Sequence, residues 1–261
     1  MYDLAALEAA LHSTIFAGRL HFSAVTGSTN TDALTAARDG APHGSVYFAD
    51  EQTAGRGRGD HRWQSNAGLG LYVSVLLRPA LSGARLPILP LAAGLAAADA
   101  IAKAAQLTVD LRWPNDLLIG ARKAGGILVE SKTEGSEVAF VVIGIGINVH
   151  QREFAADLAT PATSLDLEAG RPVSRQALLV ALLESLERET RALHTADAGN
   201  TIAARIERVS TWLRGRRVLV HGPQACTGVT DGLDENGFLR VQTADGLITV
   251  TTGGLRAAPT E

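Results

Sequence analysis

The chain has 261 residues, of which 46% are hydrophobic and 20% charged, with a net charge of −3. That composition supports a sizeable core and argues against disorder, and the slightly acidic balance argues against a general nucleic-acid binder. A single cysteine, Cys226, rules out an intramolecular disulfide framework and a cysteine-rich zinc site, and points to a reducing compartment.

The amino-terminal MYDLAALEAALHS lacks a basic region followed by an apolar run, so no secretory signal is expected. Leu4, Leu7 and Leu11 recur at helical spacing and predict a short helix over 3–12. Ser28-Thr29-Asn30 precedes TDALTAARDG, which reads as a capped helix ending at Gly40. GSVYFADEQ (44–52) is β-rich, and GLYVSVLLRP (70–79) is a strand that Pro79 stops. A long helix is predicted from about Pro87 to Gln106. Its apolar stretch, 88–101, is broken by Asp99, short of the roughly 20 residues a membrane span needs. It is expected to be a buried helix of a soluble, cytoplasmic protein.

VDLRW (109–113) predicts a strand, and LLIGARKAGGILVES (117–131) a hairpin turning near Gly120-Ala121. EVAFVVIGIGINV (137–149) is too β-branched for a helix. Links this short imply a sheet that is mostly antiparallel. Residues 174–193 predict an amphipathic helix with Leu178, Leu179, Leu182, Leu183 and Leu186 on one face, and 200–212 a second. Beyond Leu213 short β-branched runs alternate with Gly-Pro and Asp-Gly signals, the pattern of a small barrel. The expected class is α+β: a mixed-sheet catalytic domain over 1–212 flanked by helices, and a C-terminal SH3-like β-barrel over 213–261.

Four stretches carry chemistry. Residues 51–63, EQTAGRGRGDHRW, place Arg56 and Arg58 among Gly55, Gly57 and Gly59. Alone this is either a solvated hairpin turn or a loop that orders around an anion, since glycine N–H groups and guanidinium forks both suit phosphate. It matches neither Walker A nor the dinucleotide fingerprint. Trp113-Pro114-Asn115-Asp116 turns the chain at a strand end; Asn115 and Asp116 either hold that turn or face a nucleotide and Mg²⁺. Lys123 stands ahead of Gly125-Gly126 and an apolar strand, where its ammonium is either solvated or within reach of an anion. Gly144 and Gly146 interrupt a strand that ends at Asn148, which weakens it unless something approaches closely. The seven histidines are scattered, HExxH is absent and Ser28 lies in no GxSxG, so a zinc enzyme and a hydrolase triad lack support.

Together these stretches resemble the biotin–protein ligases, and they run in that family's order. They are Ser28-Thr29-Asn30, EQTAGRGR at 51–58 with Trp63, GLYVSV at 70–75, WPND at 113–116, RKAGGILVE at 122–130, GIGINV at 144–149 and ATSL at 162–165. The resemblance implies a two-step reaction. Biotin and ATP form biotinyl-5′-adenylate and pyrophosphate, and a lysine of a biotin carboxyl-carrier protein then displaces AMP. It implies that Ser28, Thr29, Asn30 and Gln52 line the biotin site. Arg56, Gly57, Arg58 and Lys123 then hold carboxylate and phosphate, with Arg56, Arg58 and Lys123 as catalytic cations. Trp63 packs over the adenylate, and Asn115 and Asn148 contact the nucleotide. Asp116 is the implied Mg²⁺ ligand.

Two departures stand out. Gly59-Asp60 replaces a further Arg or His and then Gly, and only 27 residues precede Ser28, too few for a helix-turn-helix domain plus the first strand. The expectation is a ligase without specific DNA binding, monomeric or homodimeric, with no membrane association. The alternatives are a lipoate–protein ligase or octanoyl transferase of related fold, and an RNA- or peptide-binding module, which the charge and the few Tyr and Trp oppose.

Overall fold

The computed structural model describes residues 2–194 and 198–258. Helix α1 (Leu4–Ala10) is capped by Asp3, whose carboxylate accepts from the Ala6 N–H at 3.0 Å. Strand β1 (Leu20–Thr26), helix α2 (Thr29–Arg38) and strand β2 (Ser45–Gln52) form a βαβ unit in which β1 and β2 are parallel. The sequence reading set no bounds for β1: LHFSAVT has a partly exposed, polar-rich pattern with no strong β signal. Strand β3 (Gly70–Leu77) is buried along its whole length. A 3₁₀ turn (Gly83–Ile88) leads into α3 (Leu89–Ala105), then β4 (Asp110–Arg112), β5 (Asp116–Ile119), β6 (Arg122–Glu134) and β7 (Glu137–Asn148). A short α4 (Leu165–Ala169) precedes α5 (Arg175–Ala192) and α6 (Ala198–Val209).

Seven strands form one mixed sheet in the order β1-β2-β3-β7-β6-β5-β4. Every pairing except β1–β2 is antiparallel, as the short links require. The expected hairpin turns at Gly120, with Ile119 opposite Arg122. The apolar run of 137–149 is β7, held between β3 and β6 at the centre.

The two faces of this sheet differ, and the two-residue period of a strand is the reason. Val73, Val75 and Leu77 of β3 and Val141, Ile143, Ile145 and Ile147 of β7 belong to the main core with α3 and α5. Their neighbours Leu76, Phe140 and Val142 point the other way and pack with Ala33 and Ala37 of α2. Further along that second face stand Ser74, paired with Gly144, and Gly146, paired with Tyr72. An apolar layer thus gives way to a hollow with polar or absent side chains.

On the core side, α3 lies against α5. The segment Gly83–Ala105 is long and apolar enough to cross a membrane by length and composition, and 67% of its apolar 18-residue window is buried inside the protein. Asp99, which interrupts it, faces α5: it accepts from Ser185 Oγ at 2.5 Å and Arg188 Nη2 at 2.9 Å. Burial opposes its charge, but these bonds and Lys103 hold its pKa down at about 2.

The carboxy-terminal strands β8 (Arg214–His221), β9 (Cys226–Leu233), β10 (Leu239–Thr243), β11 (Gly246–Val250) and β12 (Gly254–Ala257) form an antiparallel sheet in the order β11-β10-β9-β8-β12. This is the expected small SH3-like barrel; residues 259–261 of the expected range lie outside the described residues. It docks on the larger unit. Trp113 Nε1 donates to the Gly237 carbonyl at 3.1 Å.

The leucine face of α5 is wholly inaccessible at Leu178, Leu179, Leu182, Leu183 and Leu186. Leu182→Ala should therefore cost about 2–5 kcal/mol of stability. Urea unfolding of the purified variant measures it, and a loss below about 1 kcal/mol would mean that the α3–α5 layer is not tightly packed.

Candidate active site

The hollow on the second sheet face begins at the amino end of α2. Ser28 occupies the capping position without a side-chain capping bond, so Thr29 and Asn30 enter the first helical turn and point at the sheet. All three are buried. Gln52 Oε1 accepts from Thr29 N at 2.9 Å and from Thr29 Oγ1 at 3.1 Å, while Gln52 Nε2 donates to Ser65 Oγ at 2.7 Å. Ser74 Oγ lies 2.8 Å from Thr29 Oγ1 and donates to Asn30 Oδ1 at 2.6 Å. Asn30 Nδ2 donates to Glu130 Oε2 at 2.9 Å. Four expected biotin-site residues are thus brought together, Thr29, Asn30 and Gln52 in one network with Ser28 beside it.

The glycines of GIGIN make this possible. A Cβ on Gly144 would sit 2.0 Å from Asn30 Oδ1, and one on Gly146 2.6 Å from Trp63 Nε1. Gly146 is opposite Gly126 in the β6–β7 register, and together they form the slot into which the Trp63 indole fits. Trp63 Nε1 is buried without a hydrogen-bond partner. A buried unpaired donor is costly, and here it faces the hollow's floor.

The glycine–arginine stretch is a tight hairpin lying over the slot, with Gly59 at its tip. Gly57 N donates to the His61 carbonyl at 2.7 Å, Trp63 N to the Gly55 carbonyl at 3.0 Å, and Arg56 pairs with Arg62. Its two arginines take different partners. Arg56 forms a two-pronged pair with Glu130, Nη2 to Oε1 at 2.8 Å and Nη1 to Oε2 at 3.0 Å. Arg58 reaches the barrel, where it donates to the Gly253 carbonyl and, at 2.9 Å, to Thr252 Oγ1. Both acceptors are neutral. Burial pushes the Arg58 guanidinium below its usual pKa, and Asp116 only partly offsets this.

Lys123 completes the cationic set. Its backbone is fixed by the 160–163 segment, N to the Pro161 carbonyl at 2.7 Å and O from Thr163 N at 3.0 Å. Its ammonium lies 2.5 Å from Asp116 Oδ1 and 5.6 Å from the centre of the Trp63 ring. Asp116 Oδ2 accepts from Arg112 Nη2 at 2.6 Å and Nε at 3.1 Å. Burial would raise the Asp116 pKa, but Lys123 and Arg112 outweigh it and hold it below the usual carboxylate value.

This arrangement bears on the metal. Both Asp116 oxygens face cations, and among the described residues no three His, Cys, Asp or Glu side chains gather as ligands. The donor set does not fit a resident Mg²⁺: Asp116 bonds one guanidinium and one ammonium. Asn115 and Asn148 likewise spend their amide donors on the backbone. Asn115 Nδ2 donates to the Ile127 carbonyl at 2.7 Å and Asn148 Nδ2 to the Thr163 carbonyl at 3.0 Å. Asn115 therefore ties the turn to β6, and Asp116 bonds side chains and not the turn backbone.

Glu130, Ser74, Ser65 and Arg112 had no role in the sequence reading. Ser74 carried a signal, as a hydroxyl in a fully buried strand needs partners. Glu130 closed a quoted motif but had no recognisable spacing to Arg56, 74 residues away.

Residues 22–148, which hold most of the site, match the biotin/lipoate A/B protein ligase family. The chain is 35% identical over 246 residues to the biotin–[acetyl-CoA-carboxylase] ligase of Mycobacterium tuberculosis, covering 90% of this chain and 87% of that protein. The chain belongs to the biotin–protein ligases of this family. The biotin protein ligase from Aquifex aeolicus, solved in complex with biotin and ATP, superposes with a TM-score of 0.79 at 29% identity, over 92% of this chain and 100% of that one. The bifunctional ligase/repressor BirA of Bacillus subtilis is 38% identical over 183 residues, 69% of this chain, of which the match spans only 56% of the ligase/repressor.

Two outcomes test the ligase site's construction. Gly146→Ala should force the Trp63 indole out of its slot, seen as a red shift in tryptophan emission; an unchanged spectrum would mean that the slot is not filled in solution. Asp116→Asn should lose about 3–5 kcal/mol at neutral pH, because Arg112 and Lys123 remain with no counter-ion. The native pKa is depressed, so Asp116's contribution exists above its unfolded value near 4 and fades as pH falls towards its lower native value. Wild-type and variant melting temperatures should therefore converge in acid. Parallel curves would place Asp116's charge outside the stability balance.

Proposed function

We propose that this chain activates biotin with ATP as biotinyl-5′-AMP and transfers it to a lysine of a biotin carboxyl-carrier protein. The observation that carries the reading is Arg58. It is a half-buried cation whose partners are neutral oxygens, on a hairpin that covers a polar-floored hollow. Such a group favours an incoming anion. The names of the relatives matched support the same assignment, and they do not favour a lipoate ligase or an octanoyl transferase.

Adenylation brings together two anions, the biotin carboxylate and the α-phosphate. At 4 Å, and with an effective dielectric near 20, their repulsion is about 4 kcal/mol. Arg56, Arg58 and Lys123 offset it. The carboxylate oxygen attacks phosphorus, pyrophosphate leaves, and the charge that gathers on the phosphoryl oxygens is met by these preorganised donors. Lys123 reaches oxygens of both reactants. Ser28, Thr29, Asn30 and Gln52 hold the polar ring of biotin, and Trp63 lies over the adenylate. Asn115 and Asn148 shape the nucleotide side by fixing the backbone of β6 and of the 160–165 segment. In the second step the carrier lysine attacks the acyl carbon and AMP leaves. The closed hairpin keeps water from the mixed anhydride between the two steps.

The larger unit, 1–212, carries this chemistry and the barrel holds the loop from the far side. We place the protein in the cytoplasm.

The direct experiment is incubation with biotin, Mg-ATP and a biotin carrier domain. The carrier should gain the mass of one biotinyl group, and pyrophosphate–ATP exchange should require biotin and not lipoate. No exchange with biotin would end this reading. Arg58→Gly probes the loop. Losing a charge-assisted hydrogen bond of about 1.5–3 kcal/mol should speed escape of the adenylate about ten- to a hundredfold. The variant should then biotinylate bystander proteins in proportion to their exposed lysines, read by streptavidin blotting at matched ATP turnover. Labelling of the carrier alone would mean that Arg58 does not retain the intermediate.

A further inference from the structure

Lys123 is detained by a carboxylate at the place where it is needed by the reactants. Its ammonium is 2.5 Å from Asp116 Oδ1, in a partly dry setting where the Asp116 side chain is only 15% exposed. An ammonium so held cannot also meet the oxygens of a carboxylate and a phosphate unless it moves. Moving away strands a buried carboxylate, and a buried ion without a partner is severely destabilised.

Arg112 changes that balance. It occupies the other oxygen, Oδ2, through two N–H groups. It is itself fixed on three sides. Nη2 also donates to Thr160 Oγ1 at 2.9 Å, the guanidinium carbon lies 5.2 Å from the centre of the Trp212 ring, and the residue is buried at 8% exposure. Arg216 stacks on the same indole at 3.7 Å, which braces the Trp212 side of the contact. Arg112 therefore cannot follow an incoming anion, whereas Lys123, with its side chain 29% exposed, can swing.

We propose that Arg112 is a positioning residue for adenylation: it stays with Asp116 when Lys123 leaves, so that the lysine is released to the reacting oxygens. Asp116 then acts as a parking site for the ammonium, shared between one permanent cation and one transient one. This rests on the ligase reading of the site, since it supplies the reaction in which Lys123 has to move.

The test uses the full chain and single-turnover formation of biotinyl-adenylate. Arg112→Gln leaves Lys123 as the only cation bonded to Asp116 among the described residues. The rate constant should fall about tenfold, less than the 10²–10³-fold expected for deleting a donor outright. The KM for ATP should hardly change, because the lost contact belongs to the reacting state. Arg112→Lys, which keeps a cation on Oδ2, should stay within about threefold of wild type. Adding Asp116→Asn to Arg112→Gln removes the anchor that detains Lys123 and should recover most of the lost rate. A purely structural role would lower the melting temperature without this recovery. Wild-type rate in Arg112→Gln overturns the proposal, as does a double variant no faster than the single.

A second readout does not depend on catalysis. The reactivity of Lys123 towards acetic anhydride, followed by peptide mass spectrometry, should drop in Arg112→Gln and rise in the double variant. If the wild-type chain forms no adenylate, the ligase reading fails on its own, and the acetylation pattern still decides whether Arg112 frees Lys123. If Arg112→Gln does not fold, Thr160→Val, which removes one tether of Arg112, should lower Lys123 acetylation. Unchanged reactivity there overturns the proposal as well.

Discussion

Glu130 accepts two hydrogen bonds from Arg56 and a third from Asn30. The rest of the site hangs on those contacts. Asn30 belongs to the first turn of α2 and Arg56 to the covering hairpin, so one carboxylate joins the floor of the hollow to its roof. A paired arginine fork fixes direction as well as distance. Held in this way, the hairpin sets Trp63 into the slot beside Gly146, and the indole in turn lies next to Lys123. A charge-assisted bond of this kind is also exchangeable. An entering carboxylate offers Arg56 the same chemistry that Glu130 does, so the loop can order in the absence of ligand and still yield its guanidinium to one.

The position of the hollow is a consequence of strand alternation. Branched residues at alternate positions of β7 bury against α3 and α5, and the same register turns Gly144 and Gly146 to the other face. Nothing large can grow there without displacing Asn30 or Trp63. A central strand would be expected to avoid glycine for stability. Here the main core supplies the stability from one face, and the other is left free for the site.

The barrel takes part in the site by a route separate from its docking contacts. Trp113 fastens it near the β4 end of the sheet, while Thr252 and the Gly253 carbonyl receive Arg58. The hairpin is thereby held at two points, one on β6 and one on the barrel. Opening it requires a bidentate ion pair and a half-buried guanidinium to exchange partners, which gives the loop a definite closed state despite its glycines.

The amino-acid sequence by itself determined the elements and the parts list. Periodicity marked α5 and its leucine face, β-branching marked β7, and turn chemistry marked the hairpin at Gly120 and the terminal barrel, because these follow from local rules of 3.6 and 2 residues per repeat. It also named most of the side chains that meet at the hollow. Only the tertiary structure decided who pairs with whom. Arg56 meets a glutamate 74 residues away, Arg58 meets the barrel 194 residues on, and Asp116 is shared between Arg112 and Lys123. Such pairings depend on register, burial and the local balance of charge. A carboxylate beside two buried cations and a carboxylate beside a metal look alike in a string of letters, and they separate only when the distances around them are fixed.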